Sequence, residues 1–414
     1  MDVEIMAPVG SHETLQAAIK AGAGSVYFGV GKLNMRSRAA NNFTLDDLKK
    51  IASICSEKGV KSHLTLNAVM YSDDLEEMRH TCDIAKESGV SAVIASDFSV
   101  IEYARSIGLE VHTSTQANVS NIEAVKFFSK YADVIVLARE LSLDQVAEIC
   151  KRVKDDDVRG PSGELVKIEI FVHGALCVSI SGKCYMSLAT YNHSANRGDC
   201  LQNCRRAYKV TDEETGDELV VDNKYVMSPK DLCTIGILDK LVSAGVSVMK
   251  IEGRGRKADY VYTAVRVYTE ALQNIADGTY TPEKVAAWTA ELEGVYNRGF
   301  WQGGYYLGAK LGEWSGGYGS QATKEKFHIG KMLNYYAEKN VGLFLIEAGE
   351  LHVGDDVIVT GPTTGVVEHK VAGIRVDDKD VQVAHKGEEV TLVLDEKVRP
   401  NDLLFVVKER VNIQ

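Results

Sequence analysis

Cysteine is concentrated in one stretch of the chain, FVHGALCVSISGKCYMSLATYNHSANRGDCLQNCRR, which spans residues 171–206. The thiols of this stretch, with one that follows it, belong to Cys177, Cys184, Cys200, Cys204 and Cys233. They stand among Gly, Asn, Ser and Arg in loop-like sequence rather than on an apolar helix face. None has the tight CxxC spacing of a zinc finger, whereas an iron–sulfur cluster takes four cysteine ligands without that spacing. The leading interpretation is a cluster or another metal, and the alternatives are a redox pair or plain burial.

The other three cysteines, Cys55, Cys82 and Cys150, lie inside amphipathic helical patterns among apolar neighbours. Free cysteine is often buried in this way, so we expect these three to be core residues. The N-terminal sequence has no basic start followed by an apolar run, and no segment approaches the roughly 20 apolar residues of a membrane span. We therefore expect a cytoplasmic protein with no membrane partner, whose thiols stay reduced.

A second set of candidates consists of polar residues at the ends of predicted strands and of basic residues near the cysteines. The candidate catalytic groups are His173, Glu252 and Arg254. The candidate substrate-binding groups are Asn67, His112, Gln116, Arg139, Arg197, Arg206 and Lys257. Although the formal net charge is -11, the local basic groups predict a positive field suited to a small anionic ligand or an RNA backbone. The alternatives are a rim ion pair for Arg254, a core position for His173 and a solvated surface for the basic groups.

These residues require a scaffold that brings strand ends together, and the sequence alternates short β-branched runs with amphipathic helices. The eight predicted strands are residues 4–10, 25–30, 61–68, 92–97, 110–117, 133–140, 168–175 and 248–254. Eight such units predict an α/β fold, a closed (β/α)8 TIM-like barrel with its active site at the C-terminal ends of the strands. An open doubly wound sheet is disfavoured because no GxGxxG motif follows the first strand.

The regular alternation predicts three parts of the chain. Residues 1–280 form the barrel, with a cysteine-rich insertion at 176–232 after strand 7 that includes a small hairpin over residues 208–228. Residues 281–322 form a helical connector, and residues 323–414 form a C-terminal all-β barrel domain, because closely spaced strands with turns replace the β/α pattern there.

The segment EIFVHGALCVSISGKCYMS resembles the signature of the U32 peptidase family. The shared positions are Glu169, Phe171, His173, Gly174, Cys177, Ser181, Gly182, Cys184 and Ser187. Supporting segments are NRGDC followed by CRR, IEGRGRKADYVYTAVRVY and APVGSHETLQAAIKAGAGSVYFG, while MSPKDLC replaces the usual Asn-Ser-Lys-Asp-Leu pattern. The resemblance covers essentially the whole chain.

The resemblance implies an iron–sulfur enzyme of RNA rather than mainly a protease. Family members hold a 4Fe-4S cluster and support oxygen-independent hydroxylation of a wobble uridine in tRNA, of a ribosomal RNA cytidine or of a quinone precursor. By position, the implied ligands are Cys177, Cys184, Cys200 and Cys233, with Cys204 in reserve because CLQNC leaves the third ligand ambiguous. The tRNA branch further implies prephenate as an anionic co-substrate that supplies the hydroxyl group, and tRNA as the partner.

Two other functions remain open at this point. One is a U32-type, collagenase-like peptidase. The sequence argues against it, because it contains no GxSxG, HExxH or other standard peptidase motif. The other is a noncatalytic scaffold in which a cluster only braces the loop. The choice between tRNA, ribosomal RNA and a small aromatic substrate is also open, because family members share these motifs.

Overall fold

The computed structural model describes residues 3–38, 40–209, 211–216, 227–309 and 313–411. Eight parallel strands form a closed barrel in the order β7-β6-β5-β4-β3-β2-β1-β9, and β7 pairs with β9 to complete the ring. Their bounds are β1 Glu4–Pro8, β2 Ser25–Gly29, β3 Lys61–Leu66, β4 Ala92–Ala95, β5 Glu110–Thr113, β6 Val134–Val136, β7 Lys167–Gly174 and β9 Val248–Ile251. The predicted barrel is confirmed. All eight strands end earlier than predicted, and after β3, β5, β6 and β9 the polar residues that follow the strand line the mouth of the barrel.

Helices alternate with the strands and cover the outside of the barrel. Their bounds are α1 His12–Lys20, α2 Asp47–Glu57, α3 Leu75–Glu87, α4 Phe98–Ser106, α5 Ile122–Phe128, α6 Leu143–Asp155, α7 Met186–Tyr191, α8 Leu238–Ser243, α9 Ala258–Ala276 and α10 Pro282–Gly294. Side chains at helix starts satisfy backbone donors, as Ser142 does for Gln145 at the start of α6. Cys55, Cys82 and Cys150 lie buried on the inner faces of α2, α3 and α6, as their apolar neighbours predicted.

The inside of the barrel combines an apolar layer with buried charge. The apolar layer consists of Met6, Tyr27, Ile94, Val134 and Val248. Beside it, the Lys250 ammonium lies 2.7 Å from the Glu169 carboxylate, and both side chains are almost fully buried. An ion pair taken out of water in this way is stable only while both partners are present.

The chain between β7 and β9 departs from the alternation. It contains α7 and the short strand β8 (Asp231–Cys233), which pairs antiparallel with the end of β7 at His173. Strand β10 (Phe300–Gln302) then pairs parallel with β8 and extends the barrel wall. The hairpin predicted over residues 208–228 lies largely outside the described residues.

The C-terminal part is all β, as predicted. Its strands are β11 Lys324–Tyr336, β12 Val341–Ile346, β13 Glu350–His352, β14 Asp356–Gly361, β15 Gly365–Lys370, β16 Ile374–Val376, β17 Lys379–Val381, β18 Val383–His385, β19 Glu389–Val393 and β20 Leu403–Glu409. Eight of them form an antiparallel sheet in the order β15-β14-β20-β11-β12-β19-β16-β17, and β13 pairs with β18.

The C-terminal part packs on the barrel through α1 and α9. Val366 joins Ala17 and Ala258 in a small buried cluster, and Lys326 lies 2.8 Å from Asp259. Gly365 allows this approach because an added Cβ would lie 2.8 Å from the Ala17 nitrogen, and its φ of +71° disfavours other residues. Among the described residues, no helix is both long and apolar enough to cross a membrane.

Candidate active site

A cavity of about 120 Å³ opens at the C-terminal mouth of the barrel, where the cysteine-rich insertion covers the strand ends. Strand ends contribute Thr65, Asn67, Lys250, Glu252 and Arg254 to its wall, and the loops contribute Arg36, Gln116 and Arg139. Parallel barrel strands all present their C-terminal ends at this face, which is why residues far apart in sequence meet here.

Glu252 is a carboxylate of the cavity wall, and its side chain is 13% exposed. It accepts hydrogen bonds from the Tyr27 hydroxyl at 3.1 Å and from an Arg36 guanidinium nitrogen at 3.2 Å. Burial alone would raise the pKa of Glu252, but the charges of Arg36, Arg139 and Arg254 outweigh it, and the net pKa is lowered. Glu252 is therefore ionised at neutral pH.

Arg254 points inward from the strand end that also carries Glu252. Its guanidinium donates to the Thr65 hydroxyl at 2.7 Å, and burial lowers its pKa to about 10. Gly29 leaves room for it, since an added Cβ there would lie 2.5 Å from a guanidinium nitrogen. Arg254 therefore remains a cation at neutral pH inside a low-dielectric site.

Two further arginines complete a cationic group around Glu252. Arg139 donates to the Ala175 carbonyl at 3.1 Å and lies over the Phe171 ring at 3.9 Å. Arg36 lines the cavity together with Glu252, Cys177 and Cys200, and its pKa is raised, first by the charge of Glu252. Arg36 is absent from the residues that were predicted for the site. It lies in the loop after β2, and such loops open at the same face of the barrel as the strand ends.

Amides and hydroxyls form the opposite wall. The Asn67 amide donates to Ser114 Oγ at 3.2 Å and to Gln116 Oε1 at 3.1 Å, and its oxygen accepts from the Met35 backbone at 3.2 Å. This network fixes the orientation of Asn67 and Gln116 in the cavity. A role in binding substrate remains a prediction for both.

Four thiols face the same cavity. Cys177 is exposed, and Cys184, Cys200 and Cys204 are half-buried. Backbone N–H groups point at two of the sulfurs, from Ser179 to Cys177 and from Met186 to Cys184, both at 3.4 Å. Burial raises the pKa of Cys204, and the nearby Cys177, Cys200 and Cys184 add to the shift. Within the described residues, no three His, Cys, Asp or Glu side chains converge closely enough to hold one metal ion.

Cys233, the expected fourth ligand, does not join this group. Its side chain is 1% exposed, lies 3.9 Å from the Tyr268 hydroxyl, and is absent from the cavity wall. Burial raises its pKa to about 11. The antiparallel pairing of β8 with β7 turns Cys233 toward α9, and Cys204, the residue held in reserve, lines the cavity in its place.

Two expected histidines also lie away from the cavity. His173 packs against Tyr260, Tyr268 and Phe300, and burial lowers its pKa to about 3, so it is neutral and enclosed. His112 lies deeper in the barrel, where Nε2 is 3.0 Å from Glu110 and the ring packs on His63. Neither histidine therefore lies at the C-terminal mouth of the barrel, where both were predicted.

The other three basic residues that were predicted to bind substrate, Arg197, Arg206 and Lys257, lie outside the cavity. Arg197 pairs with Asp74 through two nitrogens at 2.6 and 3.2 Å and lies over the Tyr71 ring, which ties the insertion to the barrel. Arg206 is 2.5 Å from the Tyr191 hydroxyl, and Lys257 precedes α9. None of the three lines the cavity.

The sequence of this chain is similar to those of several known proteins. The model of peptidase family U32 matches residues 10–316. The chain is 54% identical over 409 residues to a protein of Porphyromonas gingivalis named collagenase, with 99% of each chain covered. It is 28% identical over 415 residues to tRNA hydroxylation protein P1 of Bacillus subtilis, covering 97% of this chain and 94% of the relative. It is also 34% identical over 276 residues to a 23S rRNA 5-hydroxycytidine synthase of Escherichia coli, covering 66% of this chain and 40% of the relative.

Proposed function

The chain belongs to peptidase family U32, and we propose that it is an RNA-modifying enzyme that hydroxylates the wobble uridine of tRNA at carbon 5 without molecular oxygen. The observation that carries the proposal is the cavity, in which four thiols stand next to three arginines grouped around an ionised glutamate. The named activity of the relative from Bacillus subtilis, which aligns with nearly the whole chain, supports tRNA as the substrate.

We propose further that Cys177, Cys184, Cys200 and Cys204 hold a 4Fe-4S cluster. Four cysteine thiolates are the donor set of such clusters, and these four are the thiols that line the cavity. Backbone N–H groups directed at Cys177 and Cys184 suit sulfur atoms that carry negative charge. When bound, a cluster of this type supplies single-electron transfer. The thiols must move closer together to hold it, because no three of them converge closely enough in this structure.

The cavity arginines give this chain its own means of binding an anionic co-substrate. Arg36, Arg139 and Arg254 outnumber the two carboxylates on the cavity wall, Glu140 and Glu252. Guanidinium groups bind carboxylates through paired hydrogen bonds, so these arginines suit the carboxylates of a co-substrate such as prephenate. Glu252 orients Arg36 through a hydrogen bond, and its negative charge reduces the repulsion among the three arginines.

Nucleoside analysis of tRNA tests the proposed substrate. In cells that lack the gene, we expect oxidised wobble uridine to disappear, and the wild-type gene to restore it. Cys177→Ala should not restore it, whereas Cys150→Ala, which removes a buried helix thiol, should. Wobble-uridine oxidation that is unchanged in the deletion strain would reject tRNA hydroxylation.

A peptidase is the second candidate, because the relative at 54% identity is named collagenase. The cavity argues against a thiol peptidase: no histidine is among the described residues of its wall, and His173 is buried and neutral. A thiol nucleophile needs a base within hydrogen-bond reach. Collagen cleavage that survives iron removal and is abolished by Cys177→Ala would establish the peptidase instead.

A further inference from the structure

A second opening of about 590 Å³ lies beside the cavity, and we call it the basic crevice. Its wall includes four arginines and two tyrosines: Arg38, Arg205, Arg206, Arg298, Tyr296 and Tyr318. None of the described residues that line it is acidic. On a chain with a net charge of -11, such a surface concentrates positive potential at one place.

The inner two arginines are fixed by the fold. Arg205 donates to the Ser228 hydroxyl at 3.1 Å and to the Pro229 carbonyl at 3.0 Å, and Arg298 lies 3.3 Å from Asp231. Both guanidinium groups line the crevice, and Asp231, a buried carboxylate, is paired with only one of them, so positive charge remains to attract an anion.

The outer part of the crevice is open to solvent. Arg38 is exposed, and Arg206 reaches across the rim to the Tyr191 hydroxyl. The Tyr318 ring is 75% exposed and stands between two glycines, of which Gly319 has a φ of +85°. An aromatic ring on a glycine-rich loop next to arginines offers both a stacking surface and close access to a backbone.

The crevice and the cavity share a wall. Cys200 and Gln202 line both openings, so a ligand in the crevice lies next to the proposed cluster ligands. A strand bound in the crevice would therefore run next to residues that line the cavity.

We propose that the basic crevice binds the phosphate backbone of the RNA strand that delivers its base to the cavity, with a neighbouring base stacked on Tyr318. The inference rests on the proposed function and adds the surface that RNA uses. The arginines could bind either phosphates or the carboxylates of an acidic peptide. The crevice favours an RNA strand because the exposed Tyr318 ring next to the arginines provides a base-stacking site.

Binding of a fluorescent anticodon stem–loop RNA to the full chain, measured by anisotropy at several salt concentrations, tests the crevice. The double variant Arg38→Gln with Arg206→Gln removes two cations that the core does not need. We expect about tenfold weaker binding and a salt slope smaller by about 1.4, since each phosphate contact on a single strand contributes about 0.7. Tyr318→Ala should weaken binding by about tenfold through lost stacking.

The matched control removes two exposed cations elsewhere, Lys151→Gln on α6 with Arg375→Gln on β16, and should bind RNA as the wild type does. If the crevice variant keeps the wild-type affinity and salt slope, the crevice inference is wrong while tRNA hydroxylation stands. If the wild type binds no RNA, both fail. If polyglutamate displaces RNA at equal concentration of charge, the crevice serves an acidic protein instead.

Discussion

The mouth and the core of the barrel both contain cysteines, and the two groups differ in what surrounds the sulfur. At the mouth, Cys177, Cys184, Cys200 and Cys204 face a cavity and are exposed or half-buried. In the core, Cys55, Cys82, Cys150 and Cys233 are buried, and burial raises their pKa values to between about 11 and about 12. The same residue type therefore serves packing in one region and remains available for chemistry in the other.

Charged residues also differ in how completely they are paired. Lys250 also lines the cavity, but it meets one anion, Glu169, and the pair is enclosed. At the mouth, three arginines meet Glu252 and Glu140, and positive charge remains for a ligand. The enclosed pair is balanced in charge, whereas the mouth keeps an excess of cations that a ligand can meet.

The iron content of cysteine variants gives the largest expected contrast. Purified under anaerobic conditions, the wild type should carry about four irons per chain. Cys204→Ala should lose nearly all of it, because a cavity ligand is missing, and Cys233→Ala should retain it. Iron that is lost from Cys233→Ala and kept by Cys204→Ala would return Cys233 to the ligand set.

Thiol labelling compares all eight cysteines in one experiment. In the metal-free, reduced chain at neutral pH, iodoacetamide should modify the four cavity thiols first. On thiolate fraction alone, a pKa of about 12 instead of 9.0 slows Cys55, Cys82 and Cys150 about a thousandfold. Peptide mass spectrometry measures each rate, and urea should make the rates equal. Equal rates without urea would contradict the division.

Breaking the core ion pair should destabilise the barrel. Lys250→Met leaves the Glu169 carboxylate buried without its partner, and we expect a loss of roughly 3–5 kcal/mol in the free energy of unfolding. Lys61→Met, which removes the solvent-exposed partner of Glu4, is the matched control and should cost less than about 1 kcal/mol. Urea unfolding measures both, and similar losses would show that enclosure does not matter.

The alkaline pH dependence of stability gives the most gradual effect. The pKa of Cys82 is about 12 in the folded chain against 9.0 ordinarily, so above pH 9 the unfolded chain loses a proton that the folded chain keeps. Stability should fall between pH 9 and pH 12, and Cys82→Ala should reduce the slope by about 1.4 kcal/mol per pH unit. Cys150→Ala, which removes another thiol whose pKa burial raises to about 12, should reduce the slope by the same amount, and an unchanged slope in both variants would count against burial as the cause.

The sequence by itself determined the number and order of the barrel units and the concentration of thiols after the seventh strand. Both follow from local information, because buried parallel strands and amphipathic helices have their own patterns and strand ends meet at one face. It also identified Glu252, Arg254, Arg139, Asn67 and Gln116 as residues of that face, and all five line the cavity.

Only the tertiary structure decided which thiols share the cavity and which histidines leave it. Position in the sequence placed Cys233 and His173 near the site, but the antiparallel pairing of β8 with β7 buries both against α9. Arg36 and Cys204 reach the cavity through loops whose course depends on contacts with distant strands. A local pattern fixes the secondary structure of a segment, whereas the direction of a side chain depends on long-range pairing that no single stretch of sequence contains.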